Sequence, residues 1–430
     1  MKKQILTILL VLCGFSLFAQ YTVRGGKNMP YELPGAAFHH QVFILNGLEN
    51  AEISFTSSVS EAHQWYRYDT NAAIAVPVSC QQTGNTSVIT GVSDGYGYFV
   101  GTANDPATNY VWIIDYTPYA SVLSGIETEE SSDVCDYLRF SVDAENTAPL
   151  AYYTCDGKRT SIPKTFRLTY NDLTWDEDNT IFSEHSKEKI TDNLTSLFVD
   201  APLMNTSFTL KGDHLAEYFG TATMVTTNND YAAVALRVYS DTIQVKTEGE
   251  TENTTEMSAP VEITFNAYAN EPVAGMYIWE IQKKLAGDQT QTLLRYTGKT
   301  VSYTFQESGD FIAKLEVIGV GSVCDNNDES YDIHIGASDL QLPNAFSPGS
   351  SIGSNDIYRV AYKSLIRFKA SIYNRWGNLL FHWEDPAQGW DGRVDGRFVP
   401  SGVYFIVVEA TGADGKKYYQ SSDINILRKK

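Results

Sequence analysis

The sequence predicts an all-β chain in which tandem β-sandwiches are followed by a small C-terminal β-sandwich. Tyr (27 residues) outnumbers Phe (20), Thr and Asn are plentiful, and long Ala/Leu/Lys/Glu helical patterns are absent, a composition that favours strands. Short strand-like runs recur between Gly, Asp and Asn turns, as in sandwiches. Because about 410 residues follow an apolar leader, we expect three or four domains of about 100 residues each.

The leader, residues 1–19, has the pattern of a secretory signal peptide. Lys2 and Lys3 form a positive n-region, an apolar run follows, and Ala19 precedes the predicted cleavage point. The run is short for a membrane span, and no later stretch reaches the about 20 apolar residues that a span needs. We therefore expect an exported protein with no transmembrane segment after signal removal.

Residues 20–118 are predicted to form an immunoglobulin-like domain. The segment "HQWYRY" (63–68) places Trp65 in the middle of a strand, and "SDGYGYFVG" (93–101) resembles the Asp-Gly-x-Tyr corner of such sandwiches. We expect Trp65 and Tyr98 to lie in the core, because large aromatic side chains supply much of the buried area of such a domain.

Residues 119–245 are predicted to form a second β-rich domain, and residues 246–258 a linker. The linker is rich in Thr and Glu and lacks aromatic residues. Within the second domain, residues 183–198 alone have helical or irregular character. The strand-like runs of this domain are residues 137–142, 164–170, 206–210 and 232–239.

Residues 259–337 contain "YIWEI" (277–281) and "VSYTFQESGDFIAKLEV" (301–317). In these segments a Trp-bearing strand, a Gly turn and an alternating apolar strand follow one another. The region resembles PKD-type domains, which are immunoglobulin-like repeats of bacterial surface proteins. This resemblance implies a further sandwich.

Residues 338–430 are predicted to form a small β-sandwich. Residues 371–381 have the pattern strand, turn (374–377), strand, and residues 403–410 alternate apolar positions at period two. A Gly/Asp turn at 412–415 returns the chain into a last strand. We expect Trp376 and Trp390 to be core aromatics, and Gly392 and Gly402 to hold turn conformations.

Five segments of this region follow in a fixed order: "LPNAFSP", "IYNRWGNLLF", "GWDGRVDG", "VPSGVYFIVVEA" and "INILRKK". They resemble the gliding-motility-associated C-terminal domain, the type B sorting domain of proteins exported by the type IX secretion system of Bacteroidetes. The resemblance implies recognition of residues 340–430 by that machinery and a cell-surface or extracellular location. Its motif residues here are Asn344, Phe346, Pro348, Asn374, Arg375, Trp376, Gly377, Gly389, Trp390, Asp391, Gly392, Pro400, Gly402, Val403 and Tyr404.

The sequence departs from this family in one loop. Members usually carry an acidic "NGDGxND" turn after "NAF(S/T)P", whereas this chain has "GSSIGSND" at 349–356 and keeps only Asn355 and Asp356. A hard cation needs several oxygen ligands, carboxylates among them. We therefore predict no metal there.

Charge is distributed unevenly along the chain, whose net charge is −20. The segment from Leu340 onward has 12 Lys/Arg and 8 Asp/Glu, a net +4, and the signal removes two Lys, so residues 20–339 carry −26. An acidic body repels phosphates, and no basic face interleaved with aromatics precedes Leu340. We expect no nucleic-acid partner.

Four cysteines remain after signal removal, and three pairings of them are possible. Cys135 and Cys155 lie in one predicted domain and close a loop of about 20 residues, for which a disulfide contributes about 3 kcal/mol. We expect that bond. Cys80 and Cys324 lie in different predicted domains, so they are free and buried or pair only if the domains fold back on each other.

No catalytic, cofactor or metal site is predicted. "GSSIG" (349–353) has the letters of a nucleophile elbow but lies in a turn, and "EHSKE" (184–188) lacks the second His of a zincin. "WDEDN" (175–179) and "CDNNDE" (324–329) lack the Gly and distal Glu of an EF-hand. His39 and His40 point to opposite faces of an extended segment. Spatially paired carboxylates stay open as an alternative.

These observations favour a non-catalytic, adhesin-like surface protein whose ligand, protein or glycan, is not encoded in any motif. A structural or accessory component of the envelope or secretion apparatus is the first alternative. A carbohydrate-binding or carbohydrate-degrading surface protein is the second. Exposed coplanar aromatics in a groove would favour a glycan, and a broad apolar patch a protein partner.

Overall fold

The computed structural model describes residues 20–58, 60–101, 109–130, 133–245, 257–271, 273–287, 289–321, 324, 329–349, 353 and 355–427. These residues form an all-β structure, which confirms the predicted fold class: they contain 35 strands and one short α-helix. No helix among them is long and apolar enough to cross a membrane. They divide into two compact units. Unit 1 comprises the described residues up to Asp172 and His185–Ala232, and unit 2 comprises Leu173–Glu184 and the described residues from Ala233 onward.

Unit 1 begins with a two-sheet sandwich. Its strands are β1 (Gln20–Arg24), β2 (Tyr31–Glu32), β3 (His40–Leu45), β4 (Glu52–Thr56), β5 (Gln64–Tyr68), β6 (Val76–Val78), β7 (Gln81–Thr83), β8 (Thr86–Thr90), β9 (Tyr96–Gly101) and β10 (Tyr110–Asp115). One sheet has the order β1-β4-β8-β7 and the other β2-β3-β10-β9-β5-β6. Only β3 and β10 pair in parallel among these strands.

The core of this sandwich contains both aromatics that the sequence predicts there. Trp65 and Tyr98 are buried, and the Tyr98 hydroxyl accepts the Ser93 N–H at 2.8 Å, which fixes the corner before β9. The indole N–H of Trp65 donates to Ser87 Oγ at 2.8 Å. The ring of His63 contacts Ser87 Oγ at 2.7 Å, and burial lowers the pKa of this histidine.

The next part of the chain contains nine strands: β11 (Val122–Glu129), β12 (Tyr137–Glu145), β13 (Leu150–Tyr153), β14 (Arg159–Ile162), β15 (Phe166–Asp176), β16 (Ile181–Thr191), β17 (Phe198–Asp200), β18 (Thr209–Lys211) and β19 (Met224–Thr226). They form three sheets with the orders β11-β12-β17, β13-β14 and β16-β15-β18-β19. A helix, α1 (His214–Phe219), begins at an Asp213 N-cap and ends at Gly220 in the left-handed region. The helical or irregular character predicted for residues 183–198 is wrong for residues 183–191, whereas residues 192–197 are irregular. Most of that segment is β16, whose charged residues occupy a solvent-facing strand.

The predicted disulfide between Cys135 and Cys155 is also wrong. Cys155 is a free thiol, as is Cys80, whereas Cys135 takes part in a disulfide, and so does Cys324. Separation along the chain misled the prediction, since a disulfide requires Cα atoms about 5–6 Å apart. Cys155 lies in the β13–β14 turn, where its N–H donates to His40 Nε2 at 2.9 Å.

Unit 2 contains a second sandwich with the strands β20 (Val238–Val245), β21 (Val261–Ala269), β22 (Ala274–Lys284), β23 (Thr290–Thr297), β24 (Thr300–Phe305), β25 (Gly309–Gly319) and β26 (Glu329–Ile335). Its sheets have the orders β20-β21-β24 and β23-β22-β25-β26. Trp279, in the predicted Trp-bearing strand, is buried between them with Phe265 and Phe305. This second sandwich is called the central sandwich below.

The C-terminal domain consists of the strands β27 (Asp339–Gln341), β28 (Ala345–Phe346), β29 (Ala361–Lys363), β30 (Leu365–Tyr373), β31 (Leu379–Trp383), β32 (Arg393–Val394), β33 (Arg397–Phe398), β34 (Gly402–Gly412) and β35 (Lys417–Ile426). The main sheet has the order β28-β35-β34-β30-β31. The predicted strand pair around 374–377 and the turn at 412–415 are thus confirmed. One face of the main sheet covers the domain core, because Ile372, Ile406 and Ile424 are buried.

Several predicted features lie outside the described residues. These are the signal peptide at 1–19, residues 246–256 of the linker predicted at 246–258, most of the "GSSIG" (349–353) and "CDNNDE" (324–329) segments, and the terminal residues 428–430. The domain boundaries stay predictions.

Candidate functional site

The C-terminal domain places five of its fifteen motif residues in buried positions around Trp390. Trp390 is completely buried, and its ring lies 5.7 Å from that of Phe346 and 5.8 Å from that of Tyr404. Its indole N–H donates to the Arg393 carbonyl at 3.0 Å. Tyr358, which no motif contains, exchanges two backbone hydrogen bonds with Trp390, and its hydroxyl donates to the Pro343 carbonyl at 2.8 Å.

Two motif glycines allow the chain to approach this cluster closely. A Cβ at Gly389 would lie 2.5 Å from the Tyr358 carbonyl oxygen. Gly392 has φ +76°, and a Cβ there would lie 2.9 Å from the Pro348 ring. The prediction that Gly392 holds a turn is confirmed. The Pro348 ring occupies the space that a side chain at position 392 would need.

Other motif residues make strand and turn contacts around the cluster. The Asn344 carbonyl accepts the Asn425 N–H at 2.8 Å, and Asp391 Oδ1 accepts the Arg393 N–H at 3.0 Å. The Pro400 carbonyl accepts the Tyr404 hydroxyl at 2.9 Å, and Gly402 has φ +149°. Burial raises the pKa of Tyr404, although Arg375 opposes that shift. Neutral Tyr404 is therefore a hydrogen-bond donor within the fold.

The turn at 374–377 presents its residues to solvent instead. Asn374 Oδ1 accepts the N–H groups of Trp376 and Asn378, both at 3.0 Å, so the side chain holds the turn. Trp376 is 71% exposed, and the guanidinium of Arg375 lies 4.2 Å from its ring centre. The prediction that Trp376 is a core aromatic is wrong. Its place at the apex of an Asn-x-x-Gly turn is the sequence signal that indicates exposure.

Apolar side chains that are exposed or half-buried lie on the outer face of the main sheet, on the strands that this turn joins and on β34 beside them. Phe405 pairs with Tyr373, and Tyr373 with Leu379, so the three side chains cross β34, β30 and β31 on one face. Val403 and Val407 flank Phe405 on that face and are exposed. We call the set the outer row: Val403, Phe405, Val407, Tyr373, Leu379 and Trp376.

The domain is joined to the central sandwich by buried hydrogen bonds. Ser364 is fully buried; its hydroxyl donates to the Gly336 carbonyl at 2.7 Å and accepts the Ala259 N–H at 3.2 Å. Ala413 packs in the core of the central sandwich. Its carbonyl accepts the Ser308 N–H at 3.2 Å. The two domains of unit 2 therefore share contacts that a deletion at Leu340 would break.

The metal and nucleophile motifs remain without a site in the described part of the chain. Three or more His, Cys, Asp or Glu side chains nowhere come together there as metal ligands. Glu184, His185 and Glu188 lie on β16 and not on a helical turn. His40 Nε2 accepts a backbone N–H, and its Nδ1 lies 2.9 Å from the Phe38 carbonyl.

An aromatic cluster that the sequence analysis missed lies in unit 2, at the tip of the β15–β16 hairpin. Trp175 stacks on Tyr239 with a centroid distance of 4.5 Å and an interplanar angle of 6°. Phe182 and Tyr268 lie 5.1 and 5.3 Å from the same indole. The acidic sequence around Trp175 indicated only a solvated turn, and the partners Tyr239 and Tyr268 come from distant strands.

Comparisons with known proteins assign two regions. Residues 127–227 match the family model of the fibronectin type III domain. No curated protein matches the chain. Among solved structures, a tetra-tandem repeat from the extending region of a large adhesion protein is 10% identical (TM-score 0.23, covering 90% of this chain and 99% of that one). The BSP domain of a biofilm-associated protein is 11% identical (TM-score 0.16, covering 96% of each). TM-scores this low do not establish a common fold.

The second assigned region contains the cluster, the turn and the outer row. Residues 340–425 match the family model of the CHU_C type IX secretion signal domain, which agrees with the resemblance carried by the five segments. The C-terminal part of the chain is therefore a type IX secretion signal domain, and it implies export to the cell surface or the extracellular space.

Proposed function

We propose that the protein is a non-catalytic, adhesin-like surface protein, and that the type IX machinery binds its sorting domain at the outer row. One observation carries the second statement: five of the motif residues are buried, where no partner can touch them, whereas the motif turn at 374–377 is exposed and adjoins the strand pair that carries exposed apolar side chains. Apolar side chains that are exposed together commonly mark an interaction site.

Charge defines the partner surface further. Arg375 lies beside Trp376, and within the described residues no carboxylate forms an ion pair with it. A complementary surface would present apolar side chains to Phe405 and Leu379 and a carboxylate to Arg375, since Arg forms bidentate hydrogen bonds with carboxylates. Aromatic and Arg side chains are also the residues that most often dominate binding energy at interfaces.

A double substitution tests this docking surface in cells. We expect full-length Trp376→Ala/Phe405→Ser to accumulate in the periplasm, measured by fractionation and by protease accessibility on intact cells. The matched control is Tyr419→Ala. Tyr419 is 75% exposed and lies on the same face, opposite Glu409 and four residue positions along β34 from Phe405.

Thermal unfolding of both purified variants checks that the fold survives. Surface exposure of the double variant at the level of the unsubstituted protein would contradict the docking proposal. Point variants are preferable to deletion of residues 340–430, because that deletion also removes Ala413 from the core of the central sandwich.

The adhesin-like role is tested separately from export. Tandem β-sandwiches support it, because such modules display loops and faces on a rigid scaffold. A strain that lacks the protein should attach less to solid and polymeric surfaces, and the complete chain should restore attachment, whereas the export-deficient double variant should not. Equal attachment by all strains would contradict the role.

A further inference from the structure

The aromatic cluster of unit 2 borders a cavity of about 310 Å³. Every residue that lines it belongs to unit 2, and the volume lies in the range of small-ligand sites. Trp175, Phe182 and Tyr268 supply aromatic walls, and Leu173, Ile181 and Ala267 supply aliphatic ones.

The aromatic walls are held in place by their neighbours. Tyr239 covers one face of Trp175, and the Tyr268 hydroxyl donates to Asp241 Oδ2 at 3.1 Å. That carboxylate also accepts an N–H of the Asn266 amide at 2.7 Å. Because these contacts fix the rings without a ligand, little side-chain freedom is lost when a ligand enters.

The polar lining is concentrated in an exposed ion pair. Lys299 Nζ lies 2.6 Å from Glu271 Oε1, and the two side chains are 57% and 66% exposed. Their mutual hydrogen bond raises the pKa of Lys299 and lowers the pKa of Glu271, so both are charged at neutral pH. An exposed pair of this kind contributes little to stability. Its atoms can therefore exchange partners with a ligand at low cost.

We infer that this cavity binds a neutral saccharide. A pyranose ring has an apolar C–H face, which suits the aromatic and aliphatic walls. Its hydroxyls can donate to the Glu271 carboxylate and accept from the Lys299 ammonium. Saccharide binding would specify the ligand of the proposed adhesin-like function. The inference rests on that function only because the cavity must be displayed outside the cell.

The surroundings disfavour the other ligand classes. Strand β21, which forms the wall that contains Ala267 and Tyr268, pairs with β20 and β24 on its two sides, so that wall offers no free edge to an extended peptide. Asp176 ends β15, and Glu177 and Asp178 follow it in the hairpin turn, so all three lie between two lining residues, Trp175 and Thr180. Their charge would repel an acidic sugar.

Isothermal titration of purified residues 20–430 tests the inference. The probes are cellotetraose, mannotetraose and xylotetraose, with tetragalacturonate as the acidic comparison. At least one neutral tetrasaccharide should bind with a stoichiometry of one and quench tryptophan fluorescence, and tetragalacturonate should bind more weakly. Glu271→Ala/Lys299→Ala should weaken binding about tenfold or more, because hydrogen bonds to two charged groups are lost.

The matched control is Lys284→Ala/Asp332→Ala, which removes another exposed ion pair of the central sandwich (2.5 Å) outside the cavity lining. It should bind like the unsubstituted protein. Three results would overturn the inference: no binding of any neutral tetrasaccharide, unchanged binding by Glu271→Ala/Lys299→Ala, or tighter binding of tetragalacturonate. Since purified protein is used, none of them bears on export.

Discussion

Trp390 and Trp376 belong to the same set of sorting-domain motif residues but lie in opposite environments. Trp390 is completely buried among Phe346 and Tyr404, whereas Trp376 is 71% exposed at the apex of a turn. The side chain of Trp390 fills part of the domain interior, whereas the fold does not depend on the exposed ring of Trp376. The comparison indicates that the motif combines residues that build the domain with residues that present a surface.

This division has a practical consequence. From the sequence, the residues that matter for export are the same as those that hold the fold, so substitutions would not separate folding from recognition. The structure separates them, because the 374–377 turn is held by Asn374 and not by the exposed ring beside it. The substitutions below test how far the separation extends.

The largest effect is expected at the interior tryptophan. Trp390→Ala should destabilise the protein by about 3–5 kcal/mol, because it leaves a cavity that the neighbouring rings cannot fill. Trp376→Ala should change the free energy of unfolding by less than about 0.5 kcal/mol. Guanidinium denaturation measures both, and similar losses for the two variants would remove the distinction on which the docking proposal rests.

A smaller effect is expected where the interior meets a glycine. Gly392→Ala should cost about 2–3 kcal/mol, because the added Cβ meets the Pro348 ring in a backbone conformation with positive φ. The control is Gly415→Ala: Gly415 has φ +79° but no atom within 4 Å of the added Cβ. It isolates the backbone cost, about 1 kcal/mol. Equal denaturation midpoints would show that Pro348 moves away freely.

The sequence predicted the features that local periodicity determines. Alternating apolar residues identified β34, the Gly/Asp turn after it identified β35, and a Trp in mid-strand identified the buried Trp65. It failed where the neighbours are distant in sequence. Cys155 contacts His40 of the first sandwich, so spacing to Cys135 carried no information.

The same reason explains what was missed at the candidate sites. Trp175 gains its partners Tyr239 and Tyr268 from strands more than sixty residues away, and no local pattern announces them. The outer row follows from strand register, which sets Phe405 opposite Tyr373 and is not readable from either strand alone. The error at Trp376 has another cause. Its position in a turn could be read from the sequence, but the prediction of a core residue gave more weight to the size of the side chain.

The comparison extends to Ser364, which lies at the junction with the central sandwich and outside every motif. Ser364→Ala should cost about 1–2 kcal/mol, because the buried Ala259 N–H and Gly336 carbonyl lose their partner. Ser371→Ala is the control, since that hydroxyl contacts His382 on the exposed face and its loss should be near zero. Calorimetry should show a lower unfolding temperature for Ser364→Ala alone; the same decrease in both variants would argue against the buried junction.

The smallest effect is expected at Asp414, which is exposed yet takes part in the junction. Burial alone would raise the pKa of its carboxyl, but hydrogen bonds from Ser338 and from the Lys416 N–H lower it below the ordinary 3.8. The carboxylate therefore stabilises the folded protein fully above pH 3.8, and this contribution is lost as pH falls through the lower folded pKa. The unfolding temperature of Asp414→Asn should lie below that of the unsubstituted protein at neutral pH, and the gap should close in acid. Asp423→Asn, which removes an equal charge from the outer face of β35, controls for net charge, and a gap for Asp414→Asn that is constant with pH would show that these hydrogen bonds do not depend on ionisation.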